Sequence, residues 1–147
     1  MKMFVCSVCG HIEFNEAPNR CPVCGVPAEK FTEKTDALKK PADPRNLTEG
    51  DKKHIPVINV VKTCGFIPGG ECVDVHIKVG EIIHVMEEKH YIVWLDFYID
   101  RKFAGRVHFT PGAVNPATAF HLKVKAGTLS VIENCNIHGN WMTETNL

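Results

Sequence analysis

The 147-residue sequence has no surplus of either charge, since 17 Lys and Arg balance 17 Asp and Glu. Without a basic excess it lacks the electrostatic footprint of a nucleic-acid binder, and without an acidic one it carries no solvating tail. It also lacks any run near the roughly 18 apolar residues of a membrane span. No apolar stretch precedes Cys6 at the N-terminus, so that end does not read as a secretory signal. These absences leave no nucleic-acid or membrane partner and point to the cytoplasm. Helical periodicity, internal repeats and low-complexity segments are missing as well. Disorder is excluded in turn, because 44% of the residues are hydrophobic and only 23% are charged.

What the chain does have is 7 Cys and 8 His. An odd cysteine count argues against a pure disulfide framework, and clustered cysteines in a reducing compartment more often bind metal. Four of them, Cys6, Cys9, Cys21 and Cys24, fall at the start of the chain, and the others are Cys64, Cys72 and Cys135.

Two kinds of sequence succeed each other. Residues 1–38 are turn-rich and Cys-dense, too short to bury much of a core without a metal staple. Residues 39–50, with Pro41 and Pro44, read as a linker. Residues 51–147 alternate: Val73, Val75, Ile77 and Val79 against Asp74, His76 and Lys78, then Tyr91 to Ile99, Phe120 to Val124 and Thr128 to Asn134. Such half-buried strands, divided by turns such as Pro68-Gly69-Gly70 and Pro111-Gly112, predict a mainly β protein. The expected architecture is a small metal knuckle followed by an immunoglobulin-like β-sandwich with no helix.

Cys6-Ser7-Val8-Cys9-Gly10 and Cys21-Pro22-Val23-Cys24-Gly25 form two C-x2-C-G pairs. Two intervening residues let both thiolates of a pair reach one ion, and the glycine after each pair permits a turn at positive φ. A tetrahedral tetrathiolate site follows, open to zinc or to iron. His11, between the pairs, reads as a surface residue. Together with Phe4-Val5, Ala17-Pro18 and Phe31, the segment is similar to the rubredoxin-like domain of rubrerythrins, a resemblance that implies a redox-active Fe(Cys)4 centre.

Strand parity sorts the remaining histidines. His76, His108 and His121 sit on polar phases and read as solvent-facing. His54, His84, His90 and His138 lie at strand termini or in connections, where metal ligands gather on loops. Cys135 and His138, three residues apart, can reach one ion from one turn. Imidazole and thiolate together suit iron, copper or zinc. Cys64 and Cys72, flanking the turn Gly65 to Glu71, read as two buried free thiols, with a disulfide as the alternative under oxidising conditions.

At this point residues 51–147 resemble the catalytic domain of superoxide reductases, the desulfoferrodoxin and neelaredoxin family. The pieces are Lys53-His54-Ile55-Pro56-Val57, His84-Val85-Met86, His90-Tyr91-Ile92-Val93-Trp94 and Cys135-Asn136-Ile137-His138-Gly139. The resemblance implies a second iron, Fe(His)4Cys, with His54, His84, His90 and His138 in a plane and Cys135 axial. It implies one-electron reduction of superoxide to hydrogen peroxide, with Lys53 attracting and hydrogen-bonding the anion. A rubredoxin or similar reductant is implied as electron donor, the N-terminal iron as relay, and dimers common in the family leave a homodimer as an open expectation. Two departures stand out: Lys52 replaces the Glu that usually precedes the Lys-His pair, and the second N-terminal pair is spaced where desulfoferrodoxins usually have adjacent cysteines. A blue-copper electron carrier is the runner-up, because Cys135, His138 and Met142 with one upstream His fit that pattern too.

Overall fold

The computed structural model describes residues 1–147. A three-stranded antiparallel sheet at the N-terminus has the order β2-β1-β3, from Met3–Cys6 (β1), Ile12–Phe14 (β2) and Phe31–Glu33 (β3). The rest is a sandwich of two antiparallel sheets. One contains Pro56–Val61 (β4), Val73–Val79 (β5) and Ala117–Leu122 (β8) in the order β4-β5-β8. The other contains Ile92–Ile99 (β6), Lys102–His108 (β7), Thr128–Cys135 (β9) and Gly139–Asn146 (β10) in the order β10-β9-β6-β7. No helix is long and apolar enough to cross a membrane.

The alternation of β5 does what its period of two requires, and its Val73, Val75, Ile77 and Val79 enter the core between the sheets. Leu95, Leu129, Val131 and Cys135 meet them from the facing sheet. The strand at 120–124 is shorter than its alternation predicts, because β8 ends at Leu122 and leaves Val124 exposed.

Two expectations are corrected here. A short helix, α1 (Glu49–His54), precedes β4 where no helix was expected. Its start is a capping box, in which Thr48 Oγ1 accepts from the Asp51 N–H and the Asp51 carboxylate accepts from the Thr48 N–H. Six residues are too few to show hydrophobic periodicity, so the cap was the only available signal.

The second correction concerns β6, which is buried on both faces. Leu95, Phe97 and Ile99 belong to the sandwich core, whereas Trp94 and Tyr98 join Met3, Ile12, Phe14 and Ile132 in a second core. The N-terminal sheet covers the outer face of the sandwich there. His11 lies within this contact and is fully buried, not on the surface. Its Nδ1 is 3.0 Å from Asp96 Oδ2 and its Nε2 is 2.8 Å from Glu13 Oε2. Burial alone would lower its pKa, but the hydrogen bonds and charges of Asp96 and Glu13 outweigh that and raise it. Arg106 completes the cluster, donating to Asp96 Oδ2 at 2.8 Å and to the Cys9 carbonyl at 2.9 Å.

Candidate metal centres

The first centre is local. Gly10 N–H donates to the Cys6 carbonyl at 3.0 Å and Gly25 N–H to the Cys21 carbonyl at 2.9 Å, so the two Cys-x-x-Cys turns are near copies. Both glycines have positive φ, 78° and 80°. Cys6 and Cys24 Sγ are 3.7 Å apart, and Cys9 and Cys21 Sγ are 3.5 Å apart. Thiolates on a tetrahedral ion with bonds of about 2.3 Å lie roughly 3.8 Å from one another, so this cage fits such an ion. Burial pushes the Cys9 thiol up, while the Val26 N–H lowers the Cys24 thiol. A Cβ on Gly10 would lie 3.3 Å from the Trp94 ring, so the first turn rests directly on the sandwich. Arg106 stacks on the same indole at 3.9 Å.

The second centre is assembled over a long range. α1 ends at His54, β5 is followed by the turn carrying His84, the loop before β6 carries His90, and β9 ends at Cys135 just before the β9–β10 turn that carries His138. All four segments emerge at one end of the sandwich, because Pro56 pairs with Val79, and Cys135 pairs with both Ile92 and Gly139. The imidazoles form a closed ring: His54–His84 4.9 Å, His84–His90 4.6 Å, His90–His138 5.0 Å and His138–His54 4.9 Å between centroids. Every neighbouring pair is edge-on, with interplanar angles from 69° to 83°.

Ring orientation is fixed by the nitrogens that face away. His54 Nδ1 is bonded to the Gly50 carbonyl and His84 Nδ1 to the Val85 carbonyl, each at 2.7 Å. The Nε2 atoms of His54, His84 and His90 are buried with no hydrogen-bond partner. Three orphaned imidazole nitrogens turned towards one another would be costly without a shared cation. Cys135 Sγ lies 3.6 Å from His138 Nδ1, so His138 turns Nδ1, where the other three histidines turn Nε2, towards an ion shared with the thiol. Burial lowers His54 and brings His84 down to about 4, keeping both rings in the neutral form a metal requires. Burial raises the Cys135 thiol, opposed by the backbone N–H groups of His138 and Ile137. The donor set of neutral imidazoles and one thiolate fits a transition metal such as iron.

Several supports were not read from the sequence. Asn136 ties the two ligand loops together: its Oδ1 accepts from the Tyr91 N–H at 2.9 Å and its Nδ2 donates to the Lys89 carbonyl at 3.0 Å. Trp141 stacks on His54 at 5.3 Å. Gly80 packs against α1 so closely that a Cβ would collide with the Lys52 carbonyl oxygen and lie 2.9 Å from the Lys53 carbonyl carbon. Glu133 is buried on the core face beside Cys135 with both carboxyl oxygens unpartnered, and desolvation holds its pKa well above the usual range. Only the motif Cys-Asn-x-His and the proximity of Trp141 in sequence could have hinted at any of these.

Lys53 lines a cavity of about 350 Å³ with Thr48, His54, His90, His138 and Trp141. Its ammonium is 3.0 Å from Glu49 Oε1, one helical turn back. Lys52 is not among the residues lining that cavity. Met142 packs with the second core against the N-terminal domain, away from Cys135, and so cannot complete a blue-copper site. His76, His108 and His121 are exposed, as their parity predicted. Cys64 and Cys72 are not two buried thiols: they form a disulfide with Cα atoms 5.3 Å apart, and only Cys72 is buried.

The family model Desulfoferrodoxin matches residues 46–144, and the model for the rubredoxin-like domain of rubrerythrin matches residues 4–32. A desulfoferrodoxin of Syntrophotalea carbinolica is 33% identical, covering 98% of this chain and 96% of its own. A superoxide reductase of Pyrococcus abyssi is 36% identical over 65% of this chain and 88% of its own. Among solved structures, the reduced superoxide reductase (neelaredoxin) of Archaeoglobus fulgidus aligns with a TM-score of 0.56 and 31% identity, covering 75% of this chain and 98% of that one. With its sandwich matched almost throughout, and a four-cysteine turn pair ahead of a four-histidine ring, the chain belongs to the desulfoferrodoxin family.

Proposed function

We propose that this protein is a superoxide reductase carrying two irons per chain. The first is held by Cys6, Cys9, Cys21 and Cys24 in a domain of residues 1–38, joined through residues 39–50 to a catalytic domain of residues 51–147. The second would be held by His54, His84, His90, His138 and Cys135. The observation that carries this reading is the closed ring of imidazoles with three orphaned buried Nε2 atoms beside one thiol.

Iron bound by these residues would supply the one electron with which superoxide and two protons become hydrogen peroxide. The chain's own residues prepare that step. Burial keeps His54 and His84 neutral, so the site's charge is set by the metal and the single thiolate of Cys135. The His138 N–H, 3.4 Å from Cys135 Sγ, offsets part of the thiolate charge and fixes the sulfur's direction. Trp141 holds the His54 plane. Lys53, at the mouth of the cavity, draws the small anion in and donates a hydrogen bond to it. Water in that open cavity supplies the protons. A rubredoxin-type donor would restore the electron, a metal held by the four cysteines would supply electron-transfer chemistry, and the protein works in the cytoplasm with a homodimer as its candidate assembly.

The test is anaerobic stopped-flow mixing of reduced protein with superoxide. One peroxide per superoxide without oxygen release, from protein containing two irons, supports the reading. Oxygen evolution in step with peroxide, or copper or zinc as the only bound metal, refutes it.

A further inference from the structure

Away from both centres, a third set of metal-ligating side chains meets at one point. Cys64, Cys72, Asp74 and His121 each bring a donor atom within 4.8 Å of the others. Sheet register accounts for this. Asp74 on β5 pairs directly with His121 on β8, Cys72 stands two residues before Asp74 on the same face, and the β4–β5 loop returns Cys64 above them. His121 Nδ1 is 3.2 Å from Cys64 Sγ, 3.5 Å from Cys72 Sγ and 2.8 Å from Asp74 Oδ1. One ring nitrogen carries at most one proton, so it can satisfy only one of these three electron-rich neighbours. With the sulfurs joined, that proton serves Asp74. With the sulfurs reduced, two thiolates, a carboxylate and an imidazole lone pair face a common point, and a cation relieves their repulsion.

We propose that the reduced chain binds one borderline-soft divalent cation, for which Zn²⁺ is the fitting ion, through Cys64 Sγ, Cys72 Sγ, His121 Nδ1 and Asp74 Oδ1. Two thiolates, an imidazole and a carboxylate are a tetrahedral zinc donor set. The Phe66 N–H donates to Cys64 Sγ at 3.4 Å, the same distance at which the His138 N–H meets Cys135 Sγ. The Phe66 ring stacks on His121 at 5.1 Å and shields its face. Around zinc the sulfurs must stand roughly 3.8 Å apart. The connecting loop allows that parting, since it contains Gly65, Gly69 and Gly70, with Gly69 at φ 65°.

The disulfide is then the metal-free, oxidised form of the same site. Two thiolates lose two electrons and form the S–S bond. Hydrogen peroxide takes those electrons with two protons, its O–O bond breaks to give two waters, and the cation leaves. This exchange rests on the reductase reading only for the source of its oxidant, and the binding itself does not.

The test uses the iron-loaded full chain, reduced without oxygen and freed of reductant, titrated with Zn²⁺ against a chromophoric chelator. The wild type should take up one more zinc per chain than the Cys64→Ser/Cys72→Ser variant. His121→Gln, which keeps both thiols, should weaken that binding by more than the roughly 100-fold that outer-shell changes reach. Co²⁺ should give the intense visible bands of tetrahedral thiolate-bound cobalt in the wild type alone. Equal zinc uptake by the wild type and the double variant overturns the site. One equivalent of peroxide should release the zinc and leave a Cys64–Cys72 disulfide, read by peptide mass; zinc retained, or released without the disulfide, overturns the exchange. Iron spectra and superoxide reduction should be the same in all three proteins, so failure of the zinc site is distinct from failure of the reductase reading.

Discussion

The two centres are built by opposite means. The four-cysteine cage takes all its ligands from residues 6–24 and closes through two turns that hydrogen-bond within themselves. The imidazole ring draws on residues 54–138 and exists only when both sheets, α1 and the β9–β10 turn are in place. A local cage requires little ordering of the chain elsewhere, and two of its donors, Cys9 and Cys24, are at least partly exposed. A long-range ring needs each donor aimed in advance, which is why His54 and His84 are anchored through Nδ1 and the two ligand loops are stitched by Asn136. The lesson is that nearness in sequence lets backbone bonds within two turns do what side-chain anchors from distant elements must do for the ring.

The sharpest way to break this comparison is Cys135→Ser. It should abolish the visible thiolate-to-iron absorption of the oxidised second site. Peroxide formation should slow by more than the roughly 100-fold that outer-shell changes reach. The spectrum of the four-cysteine iron should stay as it is. Anaerobic spectroscopy and stopped-flow kinetics check both halves, and loss of both spectra would show that the centres do not form independently.

Next in size is the contact between the domains. Asp96 is buried against Arg106 and His11, so Asp96→Ala leaves the buried Arg106 guanidinium without its carboxylate and His11 with Glu13 alone. Breaking such a buried pair costs about 3–5 kcal/mol. Denaturant unfolding should report a loss of that order, while the four-histidine iron keeps its spectrum. Deleting residues 1–38 should uncover Trp94, Tyr98 and Ile132 together. The remaining sandwich should retain all five catalytic ligands and a single turnover, yet melt earlier and self-associate. Calorimetry and light scattering decide this, and a monomer of undiminished stability would mean that the second core contributes nothing.

The same comparison explains what could be read in advance. The cage was legible because its whole grammar is a spacing. The four histidines of the ring were set apart by a different route: they fall off the strand alternation that places His76, His108 and His121 on polar phases, whereas Cys135 as their partner was implied by the family resemblance. Interfaces were not legible. Trp94, Asp96 and Tyr98 look like the solvent phase of β6 because alternation marks two faces without saying what covers the second. His11 failed for the same reason, as its partners Asp96 and Tyr98 lie on a strand far along the chain. Helix α1 escaped because it is shorter than the window in which a 3.6-residue period can be seen.

Asn136→Ala should have an intermediate effect. It removes the Oδ1 and Nδ2 bonds that hold the His90 loop to the Cys135 turn. An outer-shell loss of this kind costs about 10- to 100-fold in metal affinity. The second iron should therefore exchange faster with a chelator, while the four-cysteine iron exchanges at its usual rate. Equal exchange at both sites would deny the stitched loop its role.

The smallest effects concern the mouth of the ring. The sequence places Lys52 and Lys53 side by side, which predicts a doubly positive entrance. The geometry divides them: Lys53 lines the cavity, Lys52 does not, and Glu49 pairs with Lys53 across one helical turn. Glu49 therefore tempers the charge that an incoming anion meets. Steering by exposed charge is screened over a Debye length of roughly 8–10 Å, so the second-order rate with superoxide should fall as salt is added. Lys53→Ala should lower that rate by up to about tenfold at low salt and flatten its salt dependence. Glu49→Gln should act in the opposite direction and raise the low-salt rate, because it frees the ammonium. Lys52→Glu should change the rate least of the three and leave the ferric spectrum unaltered, since its side chain stands outside the cavity. Stopped-flow rates at several ionic strengths rank the three variants. A larger effect from Lys52 than from Lys53 would mean that the entrance lies on the other side of α1, and that the cavity beside Trp141 is not the way in.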